Sequence, residues 1–205
     1  MSGKRDLVGL VADRHQRETL ETLLARRRSA LGIRGISFDI RTHPARDPGV
    51  FKGADRFLAS FRDSHRYALV LLDVKFPGSP RSREVIEDGL QQRLDNRGWG
   101  ARSAVVAIDP ELEVWVWSSS PHVERILGLS TNRIRRIGDR QRWWPTEAVK
   151  PTEPKQLLRA VLAQTGRPLS SIIFGDLARR VSLRRCNDAA FVKLRDTLRE
   201  WFGVD

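Results

Sequence analysis

The sequence predicts an α/β fold in which a mostly parallel sheet is flanked by helices and followed by a basic helical C-terminal region. Short runs rich in Val, Leu and Ile alternate with longer amphipathic segments as far as Asp109. A repeated strand–helix order is typical of a parallel sheet with helices on its faces. Hydrophobic residues make up 40% of the 205 residues, which is enough for a packed core.

Four segments have the pattern of strands. Residues 6–12 (DLVGLVA), 67–74 (YALVLLDV) and 103–109 (SAVVAID) are continuous apolar runs, which indicate strands buried on both faces. Residues 36–43 (ISFDIRTH) alternate apolar and polar side chains, so they predict an edge or half-buried strand. The run at 67–74 is the most continuous, and we expect neighbouring elements to cover both of its faces.

Helices are predicted between the strands. Residues 17–32, 47–64 and 83–100 place their apolar side chains at helical spacing. Gly32 is a suitable residue to end the first of these helices, because glycine adopts the left-handed conformation of a helix C-terminus without strain.

The pattern changes after residue 130. Residues 130–155 lack clear periodicity and predict a long loop or a variable insert. Three helices are then expected at 153–166, 170–183 and 187–202, the last with Asn187 as its N-cap. We therefore divide the chain into an α/β domain at 1–130 and a C-terminal region at 131–205, a loop plus helices packed on that domain.

Positive charge is concentrated in the C-terminal region. The net charge is +12, and residues 131–205 contain 16 Lys and Arg against 8 Asp and Glu. Such a region favours an acidic or phosphate-bearing partner such as nucleic acid, although arginines on solvated faces would give the same count. The Trp-Trp pair between arginines could stack on bases or anchor an interface, or could pack over the core. The candidate nucleic-acid contacts are Arg133, Arg135, Arg136, Arg140, Arg142, Trp143 and Trp144.

Several classes of function are disfavoured by what the sequence contains. A single cysteine, Cys186, excludes an internal disulfide and fits a reducing cytoplasm, where we expect the protein to be located. Four histidines and one cysteine show no zinc-ligand spacing. Neither a dinucleotide-binding glycine motif nor a P-loop is present. The longest apolar runs are too short to cross a membrane, so no membrane association is expected.

Carboxylates follow three of the four predicted strands. Asp13, Asp73 and Asp109 end these strands, and Glu111 and Glu113 come directly after the last one. Because ligands bind beyond the carboxyl ends of parallel strands, these groups are candidates for one site. Crowded carboxylates repel one another unless a cation lies between them, and Mg²⁺ or Mn²⁺ is suited to such oxygen ligands. Asp13 could instead cap the helix that follows it.

The segment IDPELEVWVW at 108–117 has two interpretations. As a strand, it places both glutamates on one face with the two tryptophans. As a helix, it would begin at Pro110 with Asp109 as N-cap, and Glu111 and Glu113 would lie in its first turn. We favour the helix, with Asp109 as its cap and the two tryptophans packing against the core.

These segments resemble a known family. The segments VGLVADRHQRETLETLL (8–24), ALVLLDV (68–74) and IDPELEVWVWSSSPHVERILG (108–128) resemble Toprim-like proteins of bacterial defence loci. Residues 170–198 are similar to the C-terminal helices of the same group, in which a cysteine precedes an F-x-x-L helix. The resemblance covers nearly the whole chain and is strongest to the small accessory proteins of methylation-associated antiphage defence systems.

The resemblance implies a Toprim-like (Rossmann-like) sheet and a Mg²⁺-dependent nuclease. Carried over by position, it nominates Asp13, Asp73, Glu111 and Glu113 as metal ligands. Asp73, Glu111, Glu113 and Lys75 would then be the catalytic residues. The sequence departs from the family where a glutamate usually follows the first strand, and where Lys75 replaces the second aspartate of an Asp-x-Asp motif. Lys75 would either contact phosphate or neutralise Asp73.

Two functions therefore follow from the sequence. The first is a Mg²⁺- or Mn²⁺-dependent nuclease in an antiphage defence system. The second is a non-catalytic subunit that binds either nucleic acid, with DNA as the expected form, or a partner protein of the defence complex. A functional metal site favours the first, and a lysine that fills that site favours the second.

Overall fold

A computed structural model describes residues 3–118, 120–183 and 186–204, and it has a four-stranded sheet at its centre. The strands are β1 (Arg5–Val11), β2 (Phe38–Thr42), β3 (His65–Asp73) and β4 (Ser103–Ile108). Their order is β2-β1-β3-β4, and every pairing is parallel. The predicted α/β fold with a parallel sheet is confirmed, and β2 is an edge strand as the alternation of its sequence indicated.

The continuous apolar runs are explained by two hydrophobic cores, one on each face of the sheet. In β3, Leu69 and Leu71 belong to one core, whereas Val70 and Leu72 belong to the other. Successive side chains of a strand point to opposite faces, so a strand covered on both sides needs apolar residues at every position. β3 lies between β1 and β4 and is buried along almost its whole length.

Nine helices surround the sheet in the described part of the chain. They are α1 (Arg14–Arg26), α2 (Arg28–Leu31), α3 (Arg46–Ala59), α4 (Arg83–Asn96), α5 (Pro121–Leu127), α6 (Thr131–Arg140), α7 (Pro154–Gln164), α8 (Ser171–Arg180) and α9 (Ala189–Phe202). α3 and α4 cover one face of the sheet, and α1 and the C-terminal helices cover the other. Among the described residues, no helix combines the length and the apolar character that a bilayer crossing requires.

The predicted first helix is divided at Arg27. α1 ends at Arg26 and α2 ends at Leu31, with Gly32 in the left-handed conformation (φ 73°) that was expected of it. The guanidinium of Arg27 donates to the main-chain carbonyl oxygens of Ala178 and Val181, both at 3.0 Å. The break therefore lies where α1 is bound to the end of α8, a contact between segments distant in sequence.

The prediction of a loop at 130–155 is wrong in its first part, because α6 occupies Thr131–Arg140. Its buried Ile134 and half-buried Ile137 lie on one face, three residues apart. The other positions of α6 are mainly arginines and other polar residues, so only these two isoleucines indicated a helical repeat in the sequence. Asn187 is also not the N-cap of α9: Asp188 has that role, and its Oδ1 accepts from the N–H of Phe191 at 3.0 Å.

Candidate functional site

Three buried carboxylates converge at the carboxyl edge of the sheet. Asp73 ends β3, and Glu111 and Glu113 follow β4. One oxygen of each lies within 4.8 Å of the others, and the residues are only 6%, 6% and 2% exposed. We call these three residues the acidic cluster. Its spacing and chemistry would suit a metal ion. The sequence left open whether Glu111 or Glu113 turns toward Asp73, and the structure places an oxygen of each beside it.

The main chain after β4 explains how both glutamates reach Asp73. The N–H of Lys75 donates to the carbonyl oxygen of Pro110 at 2.8 Å, so the chain remains paired beyond the end of β3. Glu111 is extended (φ −162°, ψ 164°), and a 3₁₀ helix begins only at Leu112. The predicted helix with Asp109 as its N-cap is therefore wrong, because extended backbone at Glu111 cannot belong to the first turn of a helix.

Asp73 is held by two donors and a neighbouring carboxylate. Its Oδ1 accepts from Nε2 of Gln16 at 2.9 Å and from the N–H of Leu112 at 3.0 Å. Its own N–H donates to Oδ1 of Asp47 at 2.8 Å. Oε1 of Gln16 accepts from the N–H of Ala12 at 2.8 Å, which orients the amide toward Asp73. The carboxylate is thus positioned by α1 and by the segment that follows β4, while α3 binds the main chain of Asp73.

Burial perturbs the acidity of this region. It raises the pKa of Asp73 well above its usual range, and the negative charges of Asp47 and Glu113 add to the effect. Burial also raises the pKa of Glu113, and that of Asp47. Carboxyl groups with raised pKa values in one site need either protons or a cation to remain buried.

Lys155 supplies a positive charge to the cluster. It lies in the first turn of α7, and its Nζ is 3.6 Å from an oxygen of Glu111 and 3.6 Å from one of Glu113. Its main-chain N–H also donates to Oε1 of Glu111 at 3.3 Å. Burial opposes the charge on Lys155, but Glu113, Glu111 and Asp73 outweigh it and raise the pKa of the ammonium group.

Two residues nominated from the sequence have other contacts. Oδ1 of Asp13 accepts from the N–H groups of His15 (2.9 Å) and Gln16 (3.0 Å), so it caps α1 and is not one of the three clustered ligands. Nζ of Lys75 is 2.5 Å from Oε2 of Glu153. The cation beside the glutamates is therefore Lys155, from the C-terminal region, and not Lys75.

The predicted nucleic-acid contacts lie on and after α6. Arg133, Arg136 and Arg140 are exposed and border a shallow depression beside Gln164. Trp144 is buried at 8% exposure, with the guanidinium of Arg135 3.9 Å from its ring centre. Of the remaining candidates, Trp143 is half-buried and Arg142 is exposed. The arginines thus form a basic face, whereas the indole of Trp144 packs in the core.

Sequence reasoning missed three residues of the site: Gln16, Asp47 and Lys155. Asp47 lies in the turn-like sequence ARDPGV, beyond a strand that was expected to end in Thr42 and His43. Gln16 is an ordinary position within an amphipathic helix. Lys155 lies 80 residues beyond Lys75 in the chain. None carries a local signal, because each reaches Asp73 or its glutamate partners only through packing of the helices.

Comparison with known proteins found no relatives of this chain. No protein-family model, no curated protein and no solved structure matches it. The fold and the site therefore define its class: an α/β protein with a parallel sheet and a buried carboxylate cluster, balanced by a lysine, at the carboxyl edge. The resemblance to Toprim-like proteins depends on the sequence motifs alone.

Proposed function

We propose that the protein is a metal-dependent phosphoryl-transfer enzyme that cuts nucleic acid, acting in a methylation-associated antiphage defence system of bacteria. One observation carries the enzymatic part of the proposal: three buried carboxylates have oxygens within 4.8 Å of one another at the edge of a parallel sheet. Ligand sites of open α/β sheets occupy this edge. The defence role comes from the sequence resemblance.

The residues present suit Mg²⁺ or Mn²⁺. Asp73, Glu111 and Glu113 offer only oxygen ligands, which hard divalent cations prefer. With all three ionised and Lys155 protonated, the group carries two net negative charges, which one divalent cation neutralises. When bound, such an ion supplies Lewis acidity toward a phosphate oxygen and lowers the pKa of a bound water.

The chain's own groups have distinct roles in this proposal. Asp73, Glu111 and Glu113 would hold the ion, and Gln16 keeps the Asp73 carboxylate oriented through its 2.9 Å hydrogen bond. Lys155 would move its flexible ammonium group from the glutamates toward a substrate phosphate. Asp13 would contribute through its negative charge alone, because its carboxylate already accepts two main-chain N–H groups.

A cleavage assay tests the proposal directly. Labelled single- and double-stranded DNA and RNA are incubated with the protein in Mg²⁺, in Mn²⁺ or in EDTA. We expect cutting that requires the metal and is lost in Asp73→Asn. The exposed Asp109→Asn is the matched control, since it removes a carboxylate at the same edge but outside the cluster. Cutting by Asp73→Asn at the parent rate would exclude this mechanism.

A non-catalytic binding subunit is the second candidate. It is favoured by Lys155, which already neutralises part of the cluster, and by the basic face of α6. Neither Arg133 nor Arg136 forms an ion pair with any described residue. If the protein is such a subunit, Arg133→Gln with Arg136→Gln weakens oligonucleotide binding, while the parent protein binds no Mn²⁺ and cuts nothing. Mn²⁺ binding that Asp73→Asn abolishes would argue against it.

A further inference from the structure

A cavity lies beside the acidic cluster, at the carboxyl ends of β1 and β2. Its volume is about 360 Å³, within the range of small-ligand sites. The residues that line it are Ala12, Asp13, Arg14, His15, Thr42, His43, Pro44, Arg46, Lys155, Arg159 and Leu169. We call it the basic cavity, because four of these side chains are cations at neutral pH and only one is an anion.

Three of the four cations have no side-chain partner among the described residues. Arg14, Arg46 and Arg159 are exposed, and none makes an ion pair or a side-chain hydrogen bond with the residues at 3–118, 120–183 and 186–204. The single carboxylate, Asp13, is occupied as the cap of α1. Guanidinium groups that line a cavity and have no protein acceptor are available to hydrogen-bond a bound anion.

The histidines form the uncharged part of the wall. The ring of His15 stacks on Phe174, with ring centres 4.5 Å apart, and Nδ1 of His43 accepts from the N–H of Ala45 at 3.1 Å. Burial lowers the pKa of both histidines, which favours the uncharged form of the rings. The positive charge of the cavity therefore comes from the arginines and Lys155.

Lys155 connects the basic cavity to the acidic cluster. The same side chain that lines the cavity has its Nζ 3.6 Å from both Glu111 and Glu113. An anion in the cavity would thus lie next to the place where the cluster would hold a metal ion. Phosphate esters match this combination, since their oxygens accept hydrogen bonds from arginine and lysine and also coordinate hard cations.

We infer that the basic cavity binds a phosphate group of a nucleotide or of a nucleic-acid strand, with Arg46 and Arg159 as its principal contacts. The choice of a phosphate ester as the ligand rests on the proposed function. The acidic cluster would hold the metal ion, and the basic cavity would hold a phosphate of the substrate. Arg46 leads from β2 into α3 and Arg159 lies on α7, so the phosphate would bridge the sheet edge and the C-terminal region.

Calorimetric titration of the full chain in EDTA tests this site without any metal. The probes are thymidine 5′-monophosphate, thymidine and the single-stranded oligonucleotide dT10. We expect the monophosphate to bind more tightly than thymidine. The double variant Arg46→Gln with Arg159→Gln should weaken binding of the monophosphate by roughly tenfold or more, because charge-assisted hydrogen bonds are lost. The matched control, Arg26→Gln with Arg66→Gln, removes equal charge from exposed positions outside both the cavity and α6, and it should change the affinity for each probe less than about twofold.

The outcomes distinguish a phosphate site from general attraction of anions to a basic protein. Equal binding of thymidine and its monophosphate, or equal losses in the two double variants, would overturn the inference. If the Arg46 and Arg159 double variant binds both dT10 and the monophosphate more weakly, the site holds a phosphate of a nucleic-acid strand. If the double variant binds only the monophosphate more weakly, the site holds a free nucleotide. Phosphate binding without any metal-dependent cutting would refute the proposed enzyme and leave this site standing. Cutting without phosphate binding would do the reverse.

Discussion

Replacing Lys155 by methionine isolates the electrostatics of the acidic cluster. Methionine keeps the length and apolar stem of the side chain but removes the ammonium group 3.6 Å from Glu111 and from Glu113. Both glutamates are buried, so their carboxylates would lose a positive neighbour that water cannot replace. The stability of this variant depends on the charges of the cluster whether or not the protein is an enzyme, so the test requires no substrate.

The expected loss of stability is about 3 kcal/mol at pH 8. Removing one partner of a buried ion pair costs about 3–5 kcal/mol, because the remaining charge stays buried. The Lys155 side chain is 32% exposed, which places it at the low end of that range. A loss of this size is easily measured, since domains of this kind have unfolding free energies of about 5–15 kcal/mol.

The loss should shrink as the pH falls. Burial raises the pKa of Glu113, so between its unfolded and folded pKa values the folded protein binds more protons than the unfolded chain. Stability from such a group is present at low pH and is lost as the pH rises through the folded pKa. Without Lys155 the folded-state pKa of Glu113 rises further. The stability that Lys155→Met loses relative to the parent protein is therefore largest at pH 8 and smaller at pH 5.

Urea unfolding followed by tryptophan fluorescence measures the effect at both pH values. Lys75→Met is the control: the exposed ion pair of Lys75 with Glu153 should contribute no more than about 1 kcal/mol. Mn²⁺ should stabilise Lys155→Met more than the parent, because the ion takes the place of the lost ammonium group. If Lys155→Met loses no more than Lys75→Met at pH 8, the electrostatic description of the cluster is refuted.

Three further substitutions test the site and its support. Asp73→Asn should raise the thermal midpoint in EDTA at pH 8, by relieving charge repulsion, and should abolish stabilisation by Mn²⁺; a lower midpoint would contradict the raised pKa. Gly49→Ala should cost about 1–3 kcal/mol in urea unfolding, because its Cβ would lie 2.2 Å from the ring of His43, whereas the unobstructed Gly89→Ala should be neutral or stabilising. Trp144→Ala should cost about 3–5 kcal/mol as a core truncation; a loss near zero would instead indicate a surface role.

The sequence predicted the strands well because each is defined by its neighbours along the chain. Continuous apolar runs correctly indicated β1, β3 and β4, and alternation indicated that β2 is an edge strand. Sequence patterns failed where the signal was sparse or ambiguous. Arginines surround the two apolar residues of α6, and Pro110 is compatible both with a helix start and with the paired segment that the structure shows.

The sequence by itself indicated a parallel α/β sheet with Asp73, Glu111 and Glu113 near its carboxyl edge, because the alternation of strands and helices and the residues that follow each strand can be read along the chain. Only the tertiary structure decided which cation those carboxylates meet. Lys75 adjoins Asp73 in sequence but pairs with Glu153, whereas α7 brings Lys155 to both glutamates. The physical reason is that packing between elements distant in sequence sets the charge balance of a buried site. The spacing of residues along the chain does not predict that packing.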